Sequence, residues 1–253
     1  MKTNRLIAAA LIASLSLFSC KKETAGQASP DTVPVATQHV ARWGECTPAN
    51  DANQYDNTGQ LHNDGLNIVL PNATFGNYNI SDDQLFANAA DWCMNTFGAV
   101  PPNMEANAAL CIQDQPGHYS NIIDQANASD IAKSYAHMLA NGLFDTESYP
   151  DPEAISYCDV KSRIVAYEKT VSTANDLTAG EKQMLLQCAS IARYSVYYGW
   201  QHESANPPVT NTDVQYLRII LAACADWSSF WSSWGDLGTA VATSCVVYKY
   251  APF

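Results

Sequence analysis

The fold class is decided by residues 178–200, which read TAGEKQMLLQCASIARYSVYYGW. Thr178 and Glu181 have the spacing of a capping box, in which each side chain bonds a backbone N–H at the start of a helix. Beyond this start, apolar and small residues recur every three to four positions to about residue 200, which is the period of an α-helix. The small-residue stripe of this helix comprises Leu185, Cys188, Ala192, Ser195, Val196 and Gly199.

The same two signals, caps and helical spacing, recur along the rest of the chain. Ser81 and Gln84 form a second capping box, and Pro152 suits the first turn of a helix. Few segments alternate with period two, so we predict an all-α fold, a single irregular bundle of about six to eight disulfide-stapled helices over residues 46–253. The helices are predicted from Asp56 or Asn57 to Leu70, after Ser81 to Phe97, from Met104 to Ile112, after Ser129 to Asn141-Gly142, from Pro152 to about Val171, after Thr178 to about Trp200, from Thr212 into the tryptophans near 230, and from Asp236 to about Tyr248.

The N-terminus has the three zones of a secretion signal. Lys2 and Arg5 are followed by an apolar run over residues 6–18, which is too short for a comfortable membrane span, and a small residue precedes Cys20. The residues Leu17-Phe18-Ser19-Cys20 resemble the lipobox of bacterial lipoproteins. That resemblance implies that the signal, residues 1–19, is removed and that Cys20 carries a diacylglycerol and an acyl chain. No other cofactor is expected.

The segment after Cys20 predicts where the protein is held. Residues 20–45 are rich in Ala, Thr, Pro, Gln and Ser and lack apolar periodicity, so we expect a lipidated flexible tether. Lys21 replaces the Asp that tends to retain such lipoproteins in the inner membrane. The resemblance therefore implies a lipid anchor in the outer membrane, facing either the periplasm or the cell surface.

The composition is acidic and rich in cysteine. The formal charge is −12, and loss of Lys2 and Arg5 with the signal would make it −14, which repels nucleic acid and argues against it as a partner. Export would place the other cysteines where disulfides persist. Apart from Cys20 the chain has seven cysteines, and because seven is odd, at least one stays unpaired within the chain. We expect at least two disulfides. The alternative is that several of these cysteines are simply buried small apolar residues. The seven are Cys46, Cys93, Cys111, Cys158, Cys188, Cys224 and Cys245.

No motif in the sequence announces a metal site or an enzyme. The wide cysteine spacing argues against a zinc or thioredoxin-like site, and none of the five histidines has the spacing of metal ligands. His202-Glu203 begins like a zinc-protease signature, but Asn206 stands where the second histidine would be. A Ser/His/Asp or Cys/His site assembled from distant residues stays open at this stage.

The densest polar cluster lies at residues 55–64. We take His62, Asn63 and Asp64 as a candidate polar site, with a histidine bonded at the edge of the core as the alternative. Residues 59–63, GQLHN, resemble a Gly-x-x-His-Asn segment of a loose group of uncharacterised bacterial proteins, often lipoproteins. The stretch from Ala225 to Val247 is similar to the closing segment of that group. The resemblance implies no activity, but it adds Asp226 to the candidate polar site.

The tryptophan-rich run at residues 227–234 reads WSSFWSSW. Its aromatic residues share one helical stripe, with serines on the other side. They form either a core seam against the tyrosines of residues 194–198 or an exposed ridge that binds sugars or a protein. The candidate binding ridge comprises Trp227, Trp231 and Trp234.

Taken together, these features favour a non-catalytic protein of the cell envelope. We expect a lipid-anchored helical domain that binds an envelope protein or a glycan. One alternative is a small secreted hydrolase with an unrecognised site. Another is a secreted antibacterial or defence protein whose C-terminal helices enter membranes, against which Asp213, Arg218, Asp226 and Asp236 argue.

Overall fold

The computed structural model describes residues 46–70, 80–112, 118–145, 155–205 and 212–250. Throughout these ranges the chain is all-α without a β-strand, which confirms the predicted fold class. Cys20, the signal over 1–19 and the tether over 20–45 lie outside the described residues, and so does Pro152. The helices are α1 (Asn57–Val69), α2 (Asp82–Phe97), α3 (Met104–Ile112), α4 (His118–Gln125), α5 (Asp130–Phe144), α6 (Tyr157–Thr173), α7 (Ala179–Ala205), α8 (Thr212–Ser232) and α9 (Leu237–Tyr250).

The caps explain where several helices begin. At the start of α7, Glu181 N donates to Thr178 Oγ1 at 3.3 Å and Thr178 N donates to Glu181 Oε2 at 2.9 Å, so the predicted capping box is present. At the start of α2, Ser81 accepts from Gln84 N at 3.2 Å, but the Gln84 amide bonds Asn88 instead of returning to the cap. The second predicted box is therefore only half formed.

Three predicted helix boundaries differ from the structure, and one of them is the end of α7, which continues past Trp200 to Ala205. Helix α6 begins at Tyr157, because Ser156 and Asp159 form a capping box that the sequence analysis overlooked. Helix α5 continues through Gly142 to Phe144, and its last turn closes with a bond from Asp145 N to Asn141 O at 2.9 Å.

Two further differences concern α4 and α1. Helix α4 was not predicted, because it is only eight residues long and no Ser, Thr, Asp or Asn directly precedes it in the sequence. Helix α1 begins after Asp56, as expected. The Asp56 side chain makes no cap bond, because its carboxylate is bonded to Arg193 and Tyr194 instead.

The long helix that decides the fold class lies at the centre of the bundle. Helix α7 packs against α1, α6 and α8, and α8 in turn packs against α9 and α4. Helix α9 also contacts α1, α2 and α3. Because the middle parts of α7, α8 and α9 are covered on nearly all sides, their polar residues as well as their apolar ones are buried.

Glycine allows α1 to approach α7 closely. A Cβ on Gly59 would lie 2.4 Å from the backbone oxygen of Ser190 and 2.5 Å from the Tyr194 ring. Gly59 N also donates to Ser190 Oγ at 3.0 Å. The position of α1 on α7, and hence the position of His62, therefore depends on a residue without a side chain.

One disulfide joins Cys46 to Cys158, across 112 positions of sequence. The bond ties the segment before α1 to the first turn of α6. Four other cysteines, Cys93, Cys188, Cys224 and Cys245, are free and buried, while the side chain of Cys111 lies outside the described part. The expectation of at least two disulfides is therefore wrong for the described residues, where most cysteines serve as small core residues.

Candidate functional site

Three helices bring polar side chains to one point in the core. His62 of α1 places Nε2 2.8 Å from Ser244 Oγ of α9 and 4.0 Å from Asp226 Oδ2 of α8. Its Nδ1 faces Asn63 Oδ1 at 3.2 Å. His62, Asp226 and Ser244 have no exposed surface. We call these four residues the His62 cluster.

The His62 cluster contains three of the four residues predicted as a polar site. His62 and Asp226 lie side by side, although they are 164 positions apart in sequence. Asn63 belongs to the same cluster and also donates to the Tyr194 carbonyl at 2.8 Å. Asp64 is exposed and lies outside it, because two helical positions beyond His62 the side chain points to the opposite side of α1.

Burial controls the protonation of the His62 cluster. It raises the pKa of Asp226 to about 7, an effect that the nearby hydroxyls of Ser244 and Ser195 partly offset. Neither Asp226 oxygen makes a well-formed hydrogen bond. Burial also lowers the pKa of His62 to about 4, and the bond to Asn63 only partly offsets this. At neutral pH the imidazole is therefore uncharged, and Asp226 is close to its midpoint.

The Ser244–His62 pair resembles a nucleophile and its base, but the arrangement does not suit hydrolysis. In a catalytic triad, serine and carboxylate bind opposite ring nitrogens. Here Ser244 and Asp226 both face Nε2. All three side chains are also closed off from solvent, so a substrate could not reach them in this conformation. The cluster is suited to joining α1, α8 and α9.

A second buried cluster was missed by the sequence analysis. The Arg193 guanidinium on α7 has no exposed surface, and its Nη2 donates to Asp56 and, at 2.9 Å, to Glu168 Oε1. Glu168 also accepts from Asn53 Nδ2 at 2.7 Å and from Asn50 Nδ2 at 2.6 Å. We call these five residues the Arg193 cluster.

The Arg193 cluster holds the segment before α1 against α6 and α7. Burial acts to lower the pKa of Arg193, but the carboxylates of Glu168 and Asp56 outweigh it, and the net pKa is raised. Arg193 therefore stays charged and neutralises two acids. The one sequence signal of the Arg193 cluster is a single arginine within the apolar part of α7. Its partners lie 25 and 137 positions away in the sequence.

The aromatic run of α8 is mostly core. Trp227 is 0% exposed and Trp231 is 3% exposed, whereas Trp234 is 51% exposed. Of the two alternatives, the core seam therefore holds for Trp227 and Trp231, and no exposed ridge of three indoles forms, because α8 is enclosed by α7, α9, α3 and α4. Only Trp234, which lies beyond the end of the helix, remains available to a partner.

Trp234 has a backbone conformation unusual for its residue type. Its φ is +58°, in the left-handed region where the corresponding helix-ending residue is usually glycine. Gly235 N donates to Phe230 O at 2.9 Å and Trp234 N donates to Trp231 O at 3.2 Å, which is the Schellman pattern. The helix ending thus holds an exposed indole in a strained position.

A cleft opens beside this helix ending. Phe97 and residues 99–102 form one wall, and Ser233 and residues 235–238 form the other, with Asn107 nearby. The cleft has a volume of about 510 Å³ and is open to solvent. Phe97 is 49% exposed and Val100 is 40% exposed. We call it the corner cleft, and it is an accessible concave site with apolar side chains in its walls.

Membrane-spanning helices and metal-binding clusters are absent from the described residues. None of the described helices has the length and hydropathy needed to cross a bilayer. No group of three or more histidine, cysteine or acidic side chains in the described part is arranged to hold a metal ion.

In comparisons with protein-family models, with curated proteins and with solved structures, no match to the chain was found.

Proposed function

We propose that this chain is a non-catalytic lipoprotein of the cell envelope, held in the outer membrane by a lipid on Cys20, whose helical domain binds a partner through the corner cleft. The observation that carries the binding role is the cleft itself. It joins exposed apolar side chains, Phe97 and Val100, to a concave surface of a size typical of ligand sites. The half-exposed Trp234 stands between two cleft-lining positions.

The anchoring part of the proposal rests on the sequence. A charged start, a short apolar run and a cysteine at its end resemble the lipobox, and residues 20–45 then supply a tether without a predicted core. Two or more acyl chains on one residue hold a protein stably in a bilayer, while one chain does so only marginally.

The polar clusters favour a binding role over the hydrolase alternative. His62, Asp226 and Ser244 are fully buried, and so is Arg193. Each group is bonded mainly to other helices of the bundle, which suits a structural role. A partner, by contrast, can reach the walls of the corner cleft without any change of the fold.

Photo-crosslinking in intact cells tests the binding role and its site. A photoreactive amino acid would replace Val100 in the corner cleft or Met138 on α5, which has a similar exposure of 49%. We expect a specific crosslinked species from position 100 and none from position 138. Equal yields, or no crosslink from position 100, would contradict binding at the cleft.

The anchor is tested separately with the Cys20→Ala variant. Metabolic labelling with a fatty-acid analogue should mark the wild-type protein and leave the variant unlabelled. After cell fractionation, the wild type should lie in the outer membrane, whereas the variant should be released from membranes. A lack of label on the wild-type protein would contradict the lipoprotein part of the proposal. It would not affect the proposed binding at the corner cleft.

A further inference from the structure

We propose that the occupant of the corner cleft is an apolar peptide segment of another protein that carries lysine or arginine side chains. This inference rests on the proposed function, because it names the class of partner for the same site. It is argued from the walls of the cleft, the charge around it and the few hydrogen-bonding groups within it.

The walls of the corner cleft favour apolar side chains. Phe97, Val100, Pro101 and Pro102 line one side, and Leu237 lies on the other. The Phe97 ring packs edge-on against Trp92 with centroids 5.4 Å apart, so the exposed ring is supported from below. A preformed apolar surface of this kind favours peptide binding, since little side-chain freedom is lost on the protein's side.

The residues that line the corner cleft include one acid, Asp236, and no lysine or arginine. No lysine or arginine occurs between Arg42 and Lys133, a stretch that supplies the whole wall from Phe97 to Pro102. The exposed acids Asp91 and Glu105 lie on the two helices that flank this wall. A partner with positive side chains would be attracted here, and an acidic one would be repelled.

Two lysines on helices next to the cleft have their ammonium groups bonded elsewhere. Lys249, at the far end of α9, lies 2.6 Å from Asp82 Oδ1. Lys182 lies two residues from Met184, which packs near Gly235, but its ammonium group is directed to the Ser172 carbonyl at 3.4 Å. Neither side chain is positioned to neutralise the cleft.

Asp236 supplies a fixed carboxylate on the cleft wall. Its Oδ1 accepts from Gly238 N at 2.9 Å and its Oδ2 accepts from Thr239 Oγ1 at 2.7 Å, which caps α9. The Asp236 side chain is therefore held in place at the N-terminus of α9. Its field reaches α2, where burial and Asp236 together raise the pKa of the Cys93 thiol to about 11.

The cleft offers few hydrogen bonds for a sugar. The Ser233 hydroxyl donates to Ser229 O at 2.6 Å, and both Asp236 oxygens serve the α9 cap. Sugars need several well-placed polar partners in addition to an aromatic surface, whereas an apolar peptide needs fewer. Exposed aromatic rings such as Phe97 and Trp234 also attract lysine and arginine through their π faces.

Selection from a random-peptide display library tests the class of partner. The bait would be the full-length lipidated protein in detergent micelles, and an Ala99→Arg variant would serve as the counter-bait. Ala99 lines the cleft and is exposed, so arginine there both fills the cleft and reverses its local charge. Ala166→Arg on α6 is the matched control, because it makes the same change at an exposed helix position away from the cleft.

We expect the wild type and Ala166→Arg to enrich apolar peptides with lysine or arginine, and Ala99→Arg to lose them. For the best such peptide, changing its basic residues to glutamine should weaken binding roughly tenfold, equivalent to about 1.4 kcal/mol. Asp236→Asn should reduce that difference while keeping the helix start, since asparagine also caps helices. Unchanged unfolding temperatures would show that the variants are folded.

The outcomes separate this inference from the proposed function. Enrichment of neutral or acidic apolar peptides that Ala99→Arg abolishes would overturn the cationic partner and leave the cleft as a binding site. Enrichment that is identical for wild type and Ala99→Arg would overturn the cleft as the peptide site. No enrichment, with a specific crosslink from position 100 in cells, would overturn the peptide inference alone.

Discussion

His62 Nε2 lies 4.0 Å from Asp226 Oδ2, and both side chains are fully buried. With the pKa of His62 lowered to about 4 and that of Asp226 raised to about 7, Asp226 is protonated and the His62 imidazole is neutral between about pH 4 and pH 7. The pair is therefore uncharged in that range, which is the state that burial favours.

The first prediction concerns Asp226→Asn. The folded-state pKa of Asp226 is above its ordinary value of 3.8, so the stability linked to its proton is present below pH 4 and is lost as pH rises to 7. The asparagine side chain of the variant does not ionise and stays uncharged over this pH range. We expect the variant to be more stable than wild type at pH 8, by about 2–4 kcal/mol, and to lose that advantage at pH 4.

Urea unfolding at a series of pH values measures the effect, with the exposed Asp64→Asn as control. In the Asp226→Asn variant only His62 remains of the pair, and its lowered pKa means that stability is lost as pH falls from 6.5 to 4. In wild type the two effects oppose each other in that window. A variant whose stability has the same pH profile as wild type would contradict the assignment.

The second prediction concerns the Arg193 cluster. Arg193→Met removes the cation between Glu168 and Asp56 and leaves the buried Glu168 carboxylate and the partly exposed Asp56 carboxylate uncompensated. We expect a loss of about 3–5 kcal/mol in the free energy of unfolding. The double variant Arg193→Met, Glu168→Leu should be less destabilised than the single one. Chemical denaturation of the three proteins measures both differences, and a single variant as stable as wild type would exclude the neutralising role.

The third prediction concerns the contact of α1 with α7. Gly59→Ala adds a Cβ within 2.4 Å of the Ser190 backbone oxygen, so the helices must move apart. A loss of about 1–3 kcal/mol is expected from such overpacking. Gly180→Ala is the matched control, because no atom lies within 4 Å of its added Cβ. Thermal unfolding should separate the two variants, and equal melting temperatures would rule out the close approach.

The fourth prediction concerns the Cys46–Cys158 disulfide. Because the bond closes a loop of more than a hundred residues, its removal should lower the free energy of unfolding by about 4–5 kcal/mol. The Cys46→Ser, Cys158→Ser double variant tests this against wild type under oxidising conditions. Cys93→Ser in the same assay distinguishes loss of a disulfide from loss of a buried thiol, and mass spectrometry of proteolytic fragments identifies the bond directly.

The fifth prediction concerns the end of α8. Trp234→Gly places the residue that best tolerates positive φ at a position with φ of +58°. We expect stability to rise by about 1 kcal/mol, since the indole is half exposed and little packing is lost. Trp234→Ala keeps the strain and is the comparison. Calorimetry that finds the glycine variant no more stable than the alanine one would refute the strain.

The sequence predicted the positions of the helices better than it predicted which of their faces are buried. Caps and periodicity located eight of the nine helices in the described part of the chain, because those signals are local. Periodicity also found the aromatic stripe of α8, but it does not say whether a stripe faces solvent or another helix. Burial of Trp227 and Trp231 follows from the helices on the other sides of α8, which are distant in sequence.

The candidate site was predictable only in part. A faint resemblance put His62 and Asp226 in one group, and the fold does bring them together. The Arg193 cluster could not be found, because its members come from the segment before α1, from α6 and from α7. The corner cleft is formed by a loop and a helix ending, neither of which has a periodic signature.

Because Trp234 is 51% exposed, its fluorescence can be distinguished from that of the buried tryptophans. Trp92, Trp200, Trp227 and Trp231 are each at most 5% exposed, so a dissolved quencher reaches them poorly. With Trp43 changed to phenylalanine, the fluorescence that acrylamide removes would come mainly from Trp234. Comparing caesium with iodide as quenchers would then report the sign of the local potential, and an occupant of the corner cleft would register as lost quenching without any label.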